Sequence, residues 1–272
     1  MSRPKKEFHQ YLTTEHSDAH VSHSDYLQSP AVAFLKCTIE AKSSIDLCAR
    51  HFPKKQDSEY TKDSIDSLQH LVIATLPMIM GHFETYQRHL FAGMFDQSVL
   101  LEKFEPEKFF KALSGKTNIV IDWVRLAAYR DVGSSSIGTL LADTMTGWHD
   151  PEKVNSYFAA FNLPYTAFSA KDKEQLSTLW QLRHSIVHTG GSLTQADAQK
   201  VKALNGYGGS QIVFSKNFTF EVARKLHPIV KKTTEGLGNA YKSKMRTSLD
   251  QSHIDRVNEL FLVKSSIPSW LK

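Results

Sequence analysis

Apolar residues recur at roughly helical spacing along most of the chain, and they predict helices almost throughout. From Ser29 to Phe52 the recurring positions are Val32, Leu35, Ile39, Ile45 and Leu47, with Pro30 near the expected start. The longest apolar region runs from Ile65 to Leu101 and sets Leu68, Leu71, Val72, Leu76, Ile79, Phe83, Tyr86, Leu90, Met94 and Phe95 in one wide stripe expected to be buried. Pro77 lies inside it and predicts a kink or a split. Shorter helical pieces follow in "EPEKFFKAL", in the amphipathic "NIVIDWVRLAAYRD" and in "DPEKVNSYFAAFN". The last has a strong start, with Asp150 as N-cap, Pro151 at the first helical position and Glu152 in the first turn.

A helix over about Lys171 to His188 takes its core-facing side from Leu176, Leu179, Trp180, Ile186 and Val187. Gly190 and Gly191 stop it. Beyond it come a short capped helix in "SLTQADAQKVKAL" and one β-like stretch, "GSQIVFSKNFTFE", read as a turn or minor hairpin. The basic amphipathic "FEVARKLHPIVKKTTEGLGNAYKSKM" and a further helix near Ile254 to Val263 complete the chain. No internal repeat and no Gly-rich phosphate loop interrupts this pattern, so the expected fold is all-α. Residues 1–26 are polar, His-rich and aperiodic, and read as a mobile arm. The helical domain is expected over 27–243 and a C-terminal helical tail over 244–272.

Composition narrows the class only modestly. With 41% hydrophobic and 22% charged residues the 272-residue chain is of ordinary globular make-up. A net charge of +5 permits a nucleic-acid partner without demanding one. The two cysteines, Cys37 and Cys48, stand three helical turns apart, too far to bond, and read as reduced core thiols of a cytoplasmic protein. The N-terminus has no signal-peptide core. The most apolar run, "LVIATLPMIM", is half the about twenty residues that a membrane span needs.

Candidate chemistry concentrates in "LWQLRHSIVHTGG", Leu179 to Gly191, where Arg183, His184 and His188 interrupt an apolar helix. An Arg followed by a His after four to six residues occurs three times: Arg3 with His9, Arg183 with His188, Arg246 with His253. Chance supplies about one such pair in a chain of this composition, so spacing alone selects nothing. Placement does select. Only Arg183 and His188 lie within one strongly predicted helix, and rigid elements are where a preorganised site belongs. Five residues amount to about 7.5 Å of rise and about 140° of rotation, so the two flank the helix, and the long Arg stem has to sweep toward the imidazole. His188 falls in the last turn, where exposed carbonyls favour positive charge, and suits proton transfer. Arg183 offers a planar cationic fork to a phosphoryl group. Such a pair could cleave RNA without a metal, by attack of a ribose 2′-OH on the adjacent phosphate.

Competing readings of the same residues remain. His184 and His188, at i and i+4, have the spacing of a helical zinc clip, though no H-E-x-x-H pattern or third ligand accompanies them. A structural polar seam is the other reading, with Arg183 paired to an acid such as Glu84. Between Arg224 and Arg246, seven Lys or Arg stand against one Glu. Lys225, Lys231 and Lys232 there read either as an RNA-backbone track or as a solvated helix face.

The stretch "LRHSIVHTGG" also resembles the signature of the HEPN superfamily, helical bundles that often act as ribonucleases. That signature is Arg, a polar residue, three residues, then His; here Arg183, His184, Ser185-Ile186-Val187, His188. The variant it looks like is the RiboL-PSP-HEPN type. "GHFETYQRHLF" and "WHDPEKVNSYFAAFNLP" are similar to earlier helices of that group, so the likeness spans about Ile65 to Lys232. Gly190 stands two places beyond His188, where some toxin-type members carry Tyr. The resemblance implies a HEPN-like bundle with extra terminal helices, acting as a homodimeric, metal-independent endoribonuclease with no cofactor. It assigns His188 as general acid or base, Arg183 as phosphate ligand and His184 as an auxiliary polar group; Glu84, apart from the resemblance, reads either as a carboxylate that orients Arg183 or as a surface or capping residue. It implies RNA as partner, and a toxin or antiphage effector restrained by an antitoxin or defence-complex partner. Some members only bind, which leaves a non-catalytic interaction module as the alternative.

Overall fold

The computed structural model describes residues 21–117, 136–215 and 217–264, with Glu7, Ile119, Val124 and 126–127 in addition. Its fold is all-α. The order is α1 (His23–Gln28), α2 (Pro30–His51), α3 (Lys62–Asp96), α4 (Pro106–Ser114), α5 (Ile137–Thr144), α6 (Pro151–Ala159), α7 (Ala170–His188), α8 (Gln195–Gln199), α9 (Phe218–Lys242) and α10 (Gln251–Leu260). Two-residue strands, β1 (Ser192–Leu193) and β2 (Ser210–Gln211), form one antiparallel ladder. The β-like stretch near residue 210 therefore contributes a minor pairing, not a sheet. Most of the stretch "NIVIDWVRLAAYRD", expected to be helical, and most of the N-terminal arm lie outside the described residues.

Helix α3 is the axis of the bundle, and α2, α5, α7 and α9 pack on it. Val72, Leu76, Phe83, Tyr86, Leu90 and Met94 of its stripe are fully buried, whereas Leu71 is exposed and Phe95 half-buried. Phe91 meets Trp148, Phe158 and Phe161 at centroid separations of 5.7, 6.0 and 5.3 Å, joining α3 to the loop and helix that precede α7. The Trp148 Nε1–H donates to the Ala142 carbonyl at 3.0 Å, so this buried indole is satisfied. Two buried hydroxyls tie α9 to α3: Tyr86 with Thr234 at 2.8 Å, and Tyr241 donating to the Met94 carbonyl at 3.0 Å.

Pro77 does not split this region. Helix α3 runs unbroken through it, as α9 runs through Pro228. A proline removes one backbone bond from the ladder, and the buried stripe on both sides of Pro77 outweighs that loss. Order also begins within the expected arm, because Ser22 caps α1 in a capping box and Tyr26 is buried against the core. The C-terminal segment is part of the same body. Leu260 and Phe261 are buried, Leu101 bridges to Met245, and the Arg246 N–H donates to the Leu100 carbonyl at 3.0 Å. Both cysteines are free; burial pushes the Cys37 thiol up to about 12. No helix among the described residues is long and apolar enough to cross a membrane.

Candidate active site

Helix α7 starts at a capping box. The Ser169 N–H donates to Asp172 Oδ2 at 3.0 Å, and the Asp172 N–H returns to Ser169 Oγ at 3.3 Å. Leu176 and Trp180 anchor the helix in the core, and buried Gln181 donates to buried Ser185 at 3.4 Å. The end is equally defined. The N–H groups of Thr189 and Gly191 both reach the Ser185 carbonyl at 3.1 Å. Gly190 and Gly191 take φ of 62° and 83°, the left-handed region that a side chain disfavours. That reversal feeds β1 and then α8, which packs back against α7.

The last turn of α7 carries the three residues singled out by sequence. His184 and His188 are exposed, and their rings lie 4.7 Å apart with planes 43° from each other. Arg183 is half-buried. Its Nε is shielded from solvent and has no hydrogen-bond partner, and no carboxylate pairs with it among the described residues. A partially desolvated guanidinium without a counter-charge favours an incoming anion. The His184 imidazole is held below the usual histidine value, first by partial desolvation and then by the neighbouring His188; Asp197 pulls the other way.

Asp197 and Lys200 are contributions that the sequence pattern did not flag. Asp197 is buried at the start of α8, where it accepts from Lys200 Nζ at 2.7 Å and from Thr194 Oγ1 at 3.0 Å. These bonds, the Lys200 one foremost, hold its carboxyl below the usual range. Both residues act electrostatically on His184. The cap signal Thr194-x-x-Asp197 was readable in the sequence. Its return to the end of α7 depends on the two left-handed glycines, and no spacing rule reports that.

The expected pairing of Glu84 with Arg183 does not form. Glu84 Oε1 instead accepts from Arg88 Nε and Nη2 at 3.0 and 2.6 Å, one turn along α3. Arg88 also donates to Asp143 at 3.3 Å and lies over the Trp148 ring, 5.8 Å from its centroid. An i,i+4 partner is nearer than any residue on another helix, and it captures the carboxylate. Lys225, Lys231 and Lys232 are exposed on α9, but two are partly compensated: Lys231 lies 3.9 Å from Glu235, and Lys232 3.6 Å from Asp172 of α7. Lys225 borders a groove of about 630 Å³ between α7 and the start of α9, lined by Leu179, Leu182, Phe218 and Val222. Among the described residues no group of three or more His, Cys, Asp or Glu is arranged to hold a metal ion.

Compared with protein-family models, curated proteins and solved structures, the chain matches none.

Proposed function

We propose that this chain is a metal-independent endoribonuclease and that the end of α7 is its active site. The observation that carries the proposal is the half-buried Arg183, without a carboxylate partner among the described residues, beside the exposed pair His184 and His188. Arg183 binds the scissile phosphate and stabilises the charge that gathers on it. A ribose O2′ attacks the adjacent phosphorus, its proton passing to a base, while the P–O5′ bond breaks and O5′ takes up a proton. The products are a 2′,3′-cyclic phosphate and a 5′-hydroxyl. His188 serves as acid or base, and His184 supports it as the second imidazole of the pair. Lys225, Lys231 and Lys232 would guide the RNA backbone, chiefly Lys225, which pairs with no carboxylate among the described residues.

The resemblance to HEPN proteins in "LRHSIVHTGG" supports this reading and adds a homodimer with two such helix ends facing across a twofold axis. A cytoplasmic toxin or antiphage effector, restrained by a partner, is the role that fits it. One feature favours the second reading, a non-catalytic binding module: the apolar groove beside Lys225, which is shaped for a partner rather than for chemistry. Expression of the wild type, Arg183→Ala and His188→Ala in cells, with mapping of RNA ends, separates the two. New 5′-hydroxyl ends restricted to the wild type support the nuclease. Intact RNA in all three, with growth equally impaired by all three, supports the binding module.

A further inference from the structure

We propose that α1 is an acid-released latch: charge on the His23 and His89 imidazoles, which meet across the seam between α1 and α3, frees α1 while α2 and the rest of the bundle stay folded.

The hold on α1 is small and local. Tyr26 is the one buried residue of this six-residue helix, and Leu27 is half-buried. The Tyr26 ring lies 5.9 Å from His82 and 5.7 Å from His89, both of α3. Its hydroxyl shares a hydrogen bond with His82 Nδ1 at 2.8 Å. The helix ends at Ser29, whose N–H donates to the Asp25 carbonyl and whose hydroxyl donates to the Glu259 carbonyl of α10, each at 2.9 Å. Pro30 then starts α2, and Ala31, Phe34 and Leu35 anchor its first turns in the core. With its own termini and one buried side chain, α1 can open as a separate unit.

The seam tolerates charge poorly. His89 is 8% exposed and approaches the Thr85 carbonyl through Nδ1 at 2.9 Å. A carbonyl only accepts, so Nδ1 carries the proton of the neutral ring and a second proton goes to Nε2. That atom is shielded from solvent and has no acceptor among the described residues, so charging the ring buries an unsatisfied N–H. The His23 ring of α1 stands 5.0 Å away, and charge on both rings sets like charges in contact. Burial first, and then His23 and Arg88, hold His89 below the usual histidine value; the Thr85 bond and Asp143 pull the other way. Asp143 already accepts from Arg88 at 3.3 Å. The remaining charged groups along the cleft beside His89 are Asp96, held by the Gly138 N–H at 2.8 Å, and the opposite charges Arg256 and Glu259 of α10. Asp25 of α1 is engaged by Ser22 in the capping box. His82 shares its groove with Cys37, Cys48 and Glu40 of α2, and Glu40 would ease a charge there. The release therefore rests on the His23–His89 pair.

Lifting α1 strips His89 of both ring neighbours that α1 supplies, and its proton affinity returns toward the ordinary value of 6.5. The open form then binds the proton more tightly, so falling pH drives the opening. Release also removes Leu27 and Gln28 from the wall of the cleft of about 350 Å³ between α1, α3 and α10.

Hydrogen exchange read by mass spectrometry on the full chain tests this, with protection corrected for the intrinsic pH dependence of exchange. From pH 7.5 to about pH 5.5, one unit below the ordinary histidine value, protection of the α1 amides should fall by about tenfold or more while that of α3 holds. His89→Leu should abolish the fall, and His23→Gln should diminish it. His23 is exposed, so its variant carries the test even if His89→Leu melts early. Unprotected α1 amides at pH 7.5, protection that does not change with pH, α1 and α3 losing protection together, or an undiminished fall in either variant would each overturn the proposal. None of these readouts depends on RNA cleavage.

Discussion

Arg183 and His188 stand out in the sequence because they sit at the end of a helix that must bury Leu176 and Trp180, and among the described residues no carboxylate pairs with that guanidinium. If Arg183 binds the phosphate and His188 moves the proton, Arg183→Ala and His188→Ala should each lower cleavage by about 10²–10⁴-fold while the melting temperature stays close to wild type. A single-turnover assay with a parallel thermal melt reads both. His184 offers a pH test that does not involve turnover. Desolvation and His188 depress its pKa, so its proton should be taken up only as pH falls below the ordinary histidine value of 6.5. Asp197 is the one group that raises it. Asp197→Asn should therefore move the His184 midpoint further down in an NMR titration, and an upward move would show that Asp197 does not act on this ring. Asp197 and Lys200, which also act on His184, were not legible from spacing, since they reach it through a chain reversal at Gly190 and Gly191.

Between elements, close approach sets what each glycine tolerates. A Cβ on Gly138 of α5 would lie 2.2 Å from the Ala92 carbonyl oxygen of α3, and neither backbone can yield without moving a helix. Gly138→Ala should cost about 1–3 kcal/mol, as overpacking does. Gly81, exposed within α3, has open space around its Cβ position. Gly81→Ala should stabilise by up to about 1 kcal/mol through helix propensity alone. Urea unfolding of the two variants should move in opposite directions; a shared direction would contradict this packing. The helix starts were legible element by element because caps are local: Asp150 with Pro151, and Ser169 with Asp172, need only their own neighbours. The unbroken course of α3 through Pro77 was not, because it rests on tertiary burial that a local rule does not weigh. The Glu84 partner was misjudged for the opposite reason, since a local i,i+4 pair prevailed over the tertiary one.

For the molecule as a whole, the all-α class was legible from periodicity, whereas the packing of the C-terminal segment onto the bundle was not. Leu260 and Phe261 reach back to Gly93 and Gly238, contacts distant in sequence that no pattern announces. Leu260→Ala should therefore cost about 2–5 kcal/mol, the range for emptying a core position, where a detached tail would show no change. Acid should also loosen the bundle. Burial depresses His82, His89 and His227, so the stability they contribute is complete above pH 6.5 and declines as pH falls from there toward their lowered folded values. One measurement bears most directly on RNA cleavage at the end of α7. Purified wild type and His188→Ala are incubated with single-stranded RNA in EDTA, and the new ends are identified. Metal-independent cleavage through His188 requires 2′,3′-cyclic phosphate and 5′-hydroxyl ends from the wild type at a rate that EDTA leaves unchanged, and none from His188→Ala; equal cleavage by both proteins, or cleavage abolished by EDTA, would contradict it.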